Sequence, residues 1–143
     1  MGQTRIERVV PAHVEQLAEL FDLVGAVAAE VALPDDRRGV VDLVVEEAFV
    51  NLCRHAYRGR DDGAVGVLIT GRAGELEVEL RDSGPEYNPV EQAPRPDLTL
   101  GVEARKPGGL GVELMRRMTD ELRYRRDGGE NVLVMVFRWP HAG

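Results

Sequence analysis

Residues 65 to 82, VGVLITGRAGELEVELRD, read as two strands joined by a short Ala-Gly turn. The second strand alternates apolar and charged residues up to Asp82. A period of two with a tight turn makes a hairpin, so the chain folds around a sheet with antiparallel pairing. Other segments extend that sheet. TRIERVV, residues 4 to 10, reads as a short edge strand ended by Pro11. Near the end, LRYRR begins or becomes a strand, DGGEN is a turn, and VLVMVFRW is a strong final strand.

Helical periodicity fills the rest. From Ala12 to Ala32, apolar residues fall at Val14, Leu17, Phe21, Val24, Ala28 and Val31, with Glu15, Glu19 and Glu30 opposite. LPDDRR breaks that helix, and Asp35 or Asp36 is the expected N-cap of a second helix reaching about Tyr57. Its core stripe is Val41, Val45, Ala48, Leu52 and Ala56. RGRDDG is a turn. LGVELMRRMTDEL gives a third helix, with Leu110, Leu114 and Met118 on one side. Residues 83 to 109 hold five prolines and four glycines without periodicity, the signature of a functional lid or a mobile segment. The order β-α-α-β-β-loop-α-β-β predicts an α/β two-layer sandwich of the α+β type. Its sheet is mixed, mostly antiparallel, with three helices on one face. At 143 residues and 43% hydrophobic composition, the chain suits one domain spanning residues 1–143.

Charge and cysteine content narrow the function. A net charge of −7 argues against nucleic acid or an anionic membrane as main partner. A nucleotide needs only a local positive or dipolar site and stays open. Cys53 is the only cysteine, which fits a reducing cytosol. The N-terminal stretch lacks a signal-peptide pattern, and no apolar run approaches the ~20 residues of a membrane span. The expected location is cytoplasmic.

Three stretches carry candidate chemistry. In VEEAFVNLCRHAY, residues 45 to 57, Glu47, Asn51 and His55 share a helix stripe with Leu43, about 100° from the core stripe. An exposed polar flank would look the same. One small metal ion cannot join all three, because His55 lies two turns from Glu47. In RDSGPEYNP, residues 81 to 89, Asp82 ends a strand and Gly84 lets a flat group approach, so Asp82 can accept from an exocyclic amine. A simple turn is the plainer reading. In KPGGLGVELMRR, residues 106 to 117, Gly108, Gly109 and Gly111 sit at a helix start, where free N–H groups bind phosphate. A hinge would also use them. No preceding strand supports a dinucleotide fingerprint, and the chain has no GxxxxGK[ST].

Taken together and in this order, Glu47-x-x-x-Asn51, Asp82-x-Gly84 and Gly109-x-Gly111 resemble the three nucleotide boxes of the GHKL, or Bergerat-fold, ATPases. The likeness is closer to the anti-sigma factor serine/threonine kinases. DSGPEYNP, GVEARKPGGLGVELMRRMTDELRY and GGENVLVM are similar to the motifs of those kinases, and the likeness covers nearly the whole chain. The resemblance implies ATP and Mg²⁺ as cofactors and an ATP lid over about residues 88–108. It implies Asn51 as a Mg²⁺ ligand, Glu47 as general base and Asp82 as acceptor of the adenine amine, with Gly84 making room. It implies that Gly108, Gly109, Leu110 and Gly111 present N–H groups to phosphate. His55 and Tyr57 fall where the family has such residues and shape the pocket. Arg105 would meet the γ-phosphate or a partner, and Asn131 is a candidate from the last motif. Pro85-Glu86 departs from the usual pair after the glycine.

The implied function is a serine/threonine kinase that binds a sigma factor in one state and phosphorylates an anti-sigma antagonist in another, as a homodimer. A nucleotide-dependent binding module without phosphotransfer is the alternative. Residues 90 to 107 have almost no apolar anchors, so the lid is expected to be disordered without nucleotide.

Overall fold

A computed structural model describes residues 2–58, 62–92 and 109–141. The strands are β1 (Thr4–Pro11), β2 (Ala64–Arg72), β3 (Glu75–Asp82), β4 (Glu121–Asp127) and β5 (Glu130–Arg138). The helices are α1 (Leu17–Glu30), α2 (Asp35–His55), α3 (Pro89–Gln92) and α4 (Gly109–Met118). The five strands form one sheet in the order β1-β2-β3-β5-β4, with every pairing antiparallel. The expected α+β architecture is present, and its mixed sheet resolves to a wholly antiparallel one. Gly74 turns the β2–β3 hairpin at φ 79°, a conformation that costs glycine little.

Alternation along the strands decides what each face does. Val67, Ile69, Leu76, Val78, Leu80, Leu133, Met135 and Phe137 point into one core with α1, α2 and α4. Phe49 of α2 is fully buried there, as are Leu20 and Val24 of α1. The opposite face carries a separate stripe, Val132, Val134 and Val136, each at most 2% exposed. Arginines of β3, β4 and β5 itself border it. Arg81 bonds Glu79 at 2.8 Å and reaches Glu130 at 3.4 Å, Arg123 meets Glu77 at 3.4 Å, and Arg138 meets Glu75 at 2.9 Å. The aliphatic stems shield the valines while the charged heads pair at the surface. The pairs made by the half-exposed Arg123 and Arg138 add little stability singly, so shielding is their main contribution.

Several local expectations shift. The chain enters α1 through a 3-10 turn at Val14–Gln16. The buried stripe of α1 is Leu20, Leu23, Val24, Val27 and Ala28, while Val14 is 48% exposed. The N-cap of α2 is Pro34, not an aspartate, and Asp35 and Asp36 occupy the first turn, where their charges oppose the helix dipole favourably. In α4 the buried residues are Val112 and Met115, and Met118 is 42% exposed. Residues 83 to 109 also contain a helix, α3, which periodicity missed because it is only one turn long. The expected lid disorder concerns residues that lie mostly outside the described ones.

Helix α1 closes by a Schellman turn. Leu33 N–H donates to the Ala28 carbonyl at 3.0 Å, and Ala32 takes φ 56° to allow it. An alanine there is strained. Ala32→Gly is therefore expected to stabilise the protein by about 1 kcal/mol, a rise in Tm of roughly 3–5 °C. Thermal denaturation of the two proteins measures it, and an unchanged or lower Tm contradicts it.

Candidate active site

The site forms where α2 crosses the C-terminal end of β3. On α2, Glu47, Asn51 and His55 recur every four residues, so a regular helix stacks them on one flank, each half-buried. Asp82 is the last residue of β3 and is 7% exposed. A cleft between them is lined by Asn51, His55, Asp82, Tyr87, Tyr124 and Asn131, with Ala48, Leu52 and Leu133 as apolar wall. His55 and Tyr87 stack across it with ring centroids 4.9 Å apart and planes at 25°. Burial, then the charges of Arg58 and Arg54, push the His55 pKa below its usual value, so the imidazole is neutral at neutral pH. Protonation is easier in the unfolded chain. The His55 contribution to stability is thus intact above the ordinary histidine range and lost as pH falls below it.

Register explains how Asp82 is held. Asp82 pairs with Asn131 on β5, and Asn131 pairs with Arg126 on β4, so the three form one cross-strand row. Asn131 Nδ2 donates to Asp82 Oδ1 at 2.9 Å and to the Pro85 carbonyl at 2.8 Å. Its Oδ1 accepts from Tyr87 N at 3.1 Å, Tyr124 Oη at 2.5 Å and Arg126 Nη1 at 3.2 Å. Arg126 Nη1 also donates to the Gly84 carbonyl at 2.9 Å. Gly84 N–H donates back to Asp82 Oδ1 at 2.9 Å. Among the described residues nothing donates to Asp82 Oδ2. A buried carboxylate oxygen without a donor, facing a cleft, is set to accept from a ligand.

Gly84 is required by close approach. A Cβ there would fall 2.5 Å from the Ala56 carbonyl oxygen and 2.8 Å from its Cα. Both atoms belong to the backbone at the end of α2 and cannot step aside. Gly84→Ala is expected to cost about 1–3 kcal/mol in urea denaturation, from overpacking. A variant as stable as the parent would show that the turn after β3 can move freely.

At the other end of the flank, Glu47 reaches α4. A Cβ on Gly111 would lie 2.5 Å from Glu47 Oε2, so the carboxylate rests against the first turn of that helix. Gly109 and Gly111 are inside α4 and not ahead of it, and α4 starts at Gly109. The first N–H groups of a helix lack intrahelical acceptors and carry its positive pole. Leu110 belongs to the same turn by backbone. Gly108 and Arg105 lie outside the described residues.

Tyr57 does not line the cleft. Its hydroxyl accepts from Ser83 N–H at 2.8 Å and donates to the Ala64 carbonyl at 2.7 Å, tying the segment after β3 to β2. Tyr87, Tyr124 and Arg126 were missed as site residues. Tyr87 stood in the quoted DSGPEYNP stretch, and Tyr124 and Arg126 alternate on β4, but only the register shows that they converge on Asn131. Among the described residues no three His, Cys, Asp or Glu side chains group to hold a metal. Magnesium does not require such a group. It prefers oxygen ligands, keeps waters, and is commonly carried by phosphates with one or two protein contacts. The Asn51 carboxamide beside Glu47 suits that chemistry.

Comparison with known proteins agrees with the geometry. The family described as histidine kinase-like ATPase domain matches residues 10–137. The serine/threonine-protein kinase BtrW of Bordetella bronchiseptica is 31% identical over 99 residues, 69% of each chain. The serine-protein kinase RsbW of Bacillus thuringiensis is 26% identical over 136 residues, 93% of this chain and 84% of that one. In fold, the RsbU and RsbW domains of Rv1364c from Mycobacterium tuberculosis superpose with a TM-score of 0.64 at 13% identity. That match covers 94% of this chain and 32% of the other. The catalytic domain of histidine kinase ThkA superposes at 0.53 and 13% identity, covering 96% and 97%. With the family matched over residues 10–137 and serine-protein kinases among its relatives, the chain belongs to the histidine kinase-like ATPase family and stands among its serine-protein kinases.

Proposed function

We propose that this protein binds Mg·ATP in the α2–β3 cleft and phosphorylates a serine or threonine of an anti-sigma antagonist, holding a sigma factor in its other state. The observation that carries the reading is the pairing of two features at opposite ends of one helix flank. Asp82 Oδ2 waits without a donor at the end where a base would enter. Glu47 rests on the first turn of α4 at the end where phosphates would lie. The anti-sigma role is supported by the likeness to the RsbW kinases over 93% of the chain.

Each residue then has a task. Asp82 accepts from the adenine amine, Gly84 leaves space for the ring, and His55 walls the pocket. Asn131 holds Asp82 and also lines the cleft, where the nucleotide contact expected for it is proposed as well. Asn51 would contribute one oxygen to Mg²⁺, and the backbone N–H groups proposed to take the phosphates are those of Gly108, Gly109, Leu110 and Gly111. Arg105, in a lid over about residues 88–108, meets the γ-phosphate or the partner. Bound ATP would supply the phosphoryl group, and Mg²⁺ held there would offset its charge. Glu47 takes the proton of the incoming hydroxyl as its oxygen bonds the γ-phosphorus and the bond to the β-phosphate oxygen breaks, leaving ADP.

Residues 1–143 act as one domain in this reading, and the protein works in the cytoplasm. No helix among the described residues is long and apolar enough to cross a membrane. The homodimer is proposed through the outer edge of β1, which pairs with β2 on its other side. Antiparallel pairing centred on Ile6 sets Arg5 opposite Glu7 of the partner subunit, a self-complementary register. Incubation with γ-labelled ATP and purified antagonist tests the kinase reading. Label on an antagonist serine or threonine is expected. Tight ATP binding with no transfer to any antagonist would favour a nucleotide-sensing binding module.

A further inference from the structure

We propose that the groove between α2 and α4 is the docking surface for the phosphoacceptor protein. It seats an apolar side chain of that protein between Leu43 and Met118, and basic residues against Asp36 and Glu46. The inference rests on the kinase reading above and extends it to how the acceptor is recognised.

The two helices run antiparallel. At the start of α2, Arg37 donates to the Arg138 carbonyl at 2.8 Å. Just past the end of α4, Asp120 accepts from Arg138 N–H at 2.7 Å. The start of α2 and the end of α4 thus meet at the same end of β5. Further along, Gly111 lies against Glu47. Counting from that contact, Leu43 is one turn back along α2 and Val40 two turns. Leu114 and Met118 are one and two turns onward along α4. The four side chains therefore border one groove that leads away from Glu47. Val40 packs on the core and forms its floor. Leu43 is 43% exposed and Met118 42%. This is the apolar side of α4 that helical periodicity picks out and the core leaves uncovered. Large exposed apolar side chains from two helices on one groove mark a contact surface.

Position and charge name the occupant. A hydroxyl that gives its proton to Glu47 must come within hydrogen-bond reach of that carboxylate. The body of the protein that carries it then covers the adjoining groove. Asp36 lies two turns before Leu43, Glu46 lies three residues after it, and both acids are exposed. Cations on these helices are engaged elsewhere. Arg38 pairs with Asp42 at 3.0 Å, and Arg117 pairs with Glu113 at 3.3 Å. An apolar floor with an acidic α2 rim complements an acceptor surface whose apolar residue is flanked by lysine or arginine.

Steady-state kinetics on the full chain is the test, with the antagonist that accepts label in the transfer assay above as the probe. The double variant Leu43→Ser, Met118→Ser is expected to raise KM for the antagonist at least about tenfold, leaving kcat and ATP affinity within about twofold. Glu46→Lys is expected to raise it about fivefold at low salt, an effect that shrinks as salt is added. Val14→Ser is the control. Val14 is 48% exposed but lies at the entry to α1, and its loss should leave KM unchanged. An antagonist KM within twofold of wild type in the double variant would overturn the proposal. So would an equal rise in Val14→Ser, or a rise that tracks lost ATP affinity. A wild-type KM in Glu46→Lys would overturn the acidic rim. No label on any antagonist would instead sink the kinase reading, and any acceptor surface with it.

Discussion

Glu47→Gln is expected to slow phosphoryl transfer by about 10²–10⁴-fold while leaving ATP affinity within about twofold. Glutamine keeps the size and the hydrogen-bonding reach of the side chain but cannot take a proton. The contact with Gly111 shows why the substitution is mild structurally: the carboxylate end is partly exposed and lies against a residue with no side chain. A single-turnover assay with γ-labelled ATP and saturating antagonist measures the step, and calorimetry measures affinity. An unchanged transfer rate would remove Glu47 from the base role. A joint loss of transfer and binding would assign it to holding the nucleotide.

The second large effect concerns Asp82. Asp82→Asn is expected to weaken ATP binding by about 100-fold, from the loss of a charge-assisted bond and the donor it places against the adenine amine. The fold should tolerate the change. An asparagine Oδ1 still accepts from Gly84 N–H and Asn131 Nδ2, the two bonds that Asp82 makes. Its Nδ2 then occupies the position of Oδ2 and offers hydrogen where acceptance is needed. Tm within a few degrees of wild type with nucleotide binding lost is the predicted pair of results. Wild-type affinity in a folded variant would place base recognition elsewhere.

How much of this was legible depended on distance along the chain. The hairpin follows from a period of two, which one strand displays by itself, and the final strand from an unbroken apolar run of strand length, buried on both faces. The α2 flank was legible because four-residue spacing guarantees that Glu47, Asn51 and His55 share a side. The buried side of α4 was misread because Leu114 and Met118 fit the period as well as Val112 and Met115 do, and only packing against α2 decides between them. Helix α3 had a signal that was passed over. Asn88 precedes Pro89, and its Oδ1 accepts from Val90 N–H at 2.9 Å, an N-cap followed by proline in the first turn. The work of Asn131 was beyond reach. It depends on a register in which residues 82, 126 and 131 form one row across three strands, and nothing local specifies that row.

The most direct test of the central claim is calorimetric titration of the wild-type protein with ATP, with Mg²⁺ present and then with Mg²⁺ removed by chelation. The account predicts one site per chain with affinity in the micromolar range, about −8 kcal/mol, weakened at least about tenfold without the metal. No binding under either condition would contradict it, and would leave Asp82 and the α2 flank as parts of a protein-binding fold without a nucleotide.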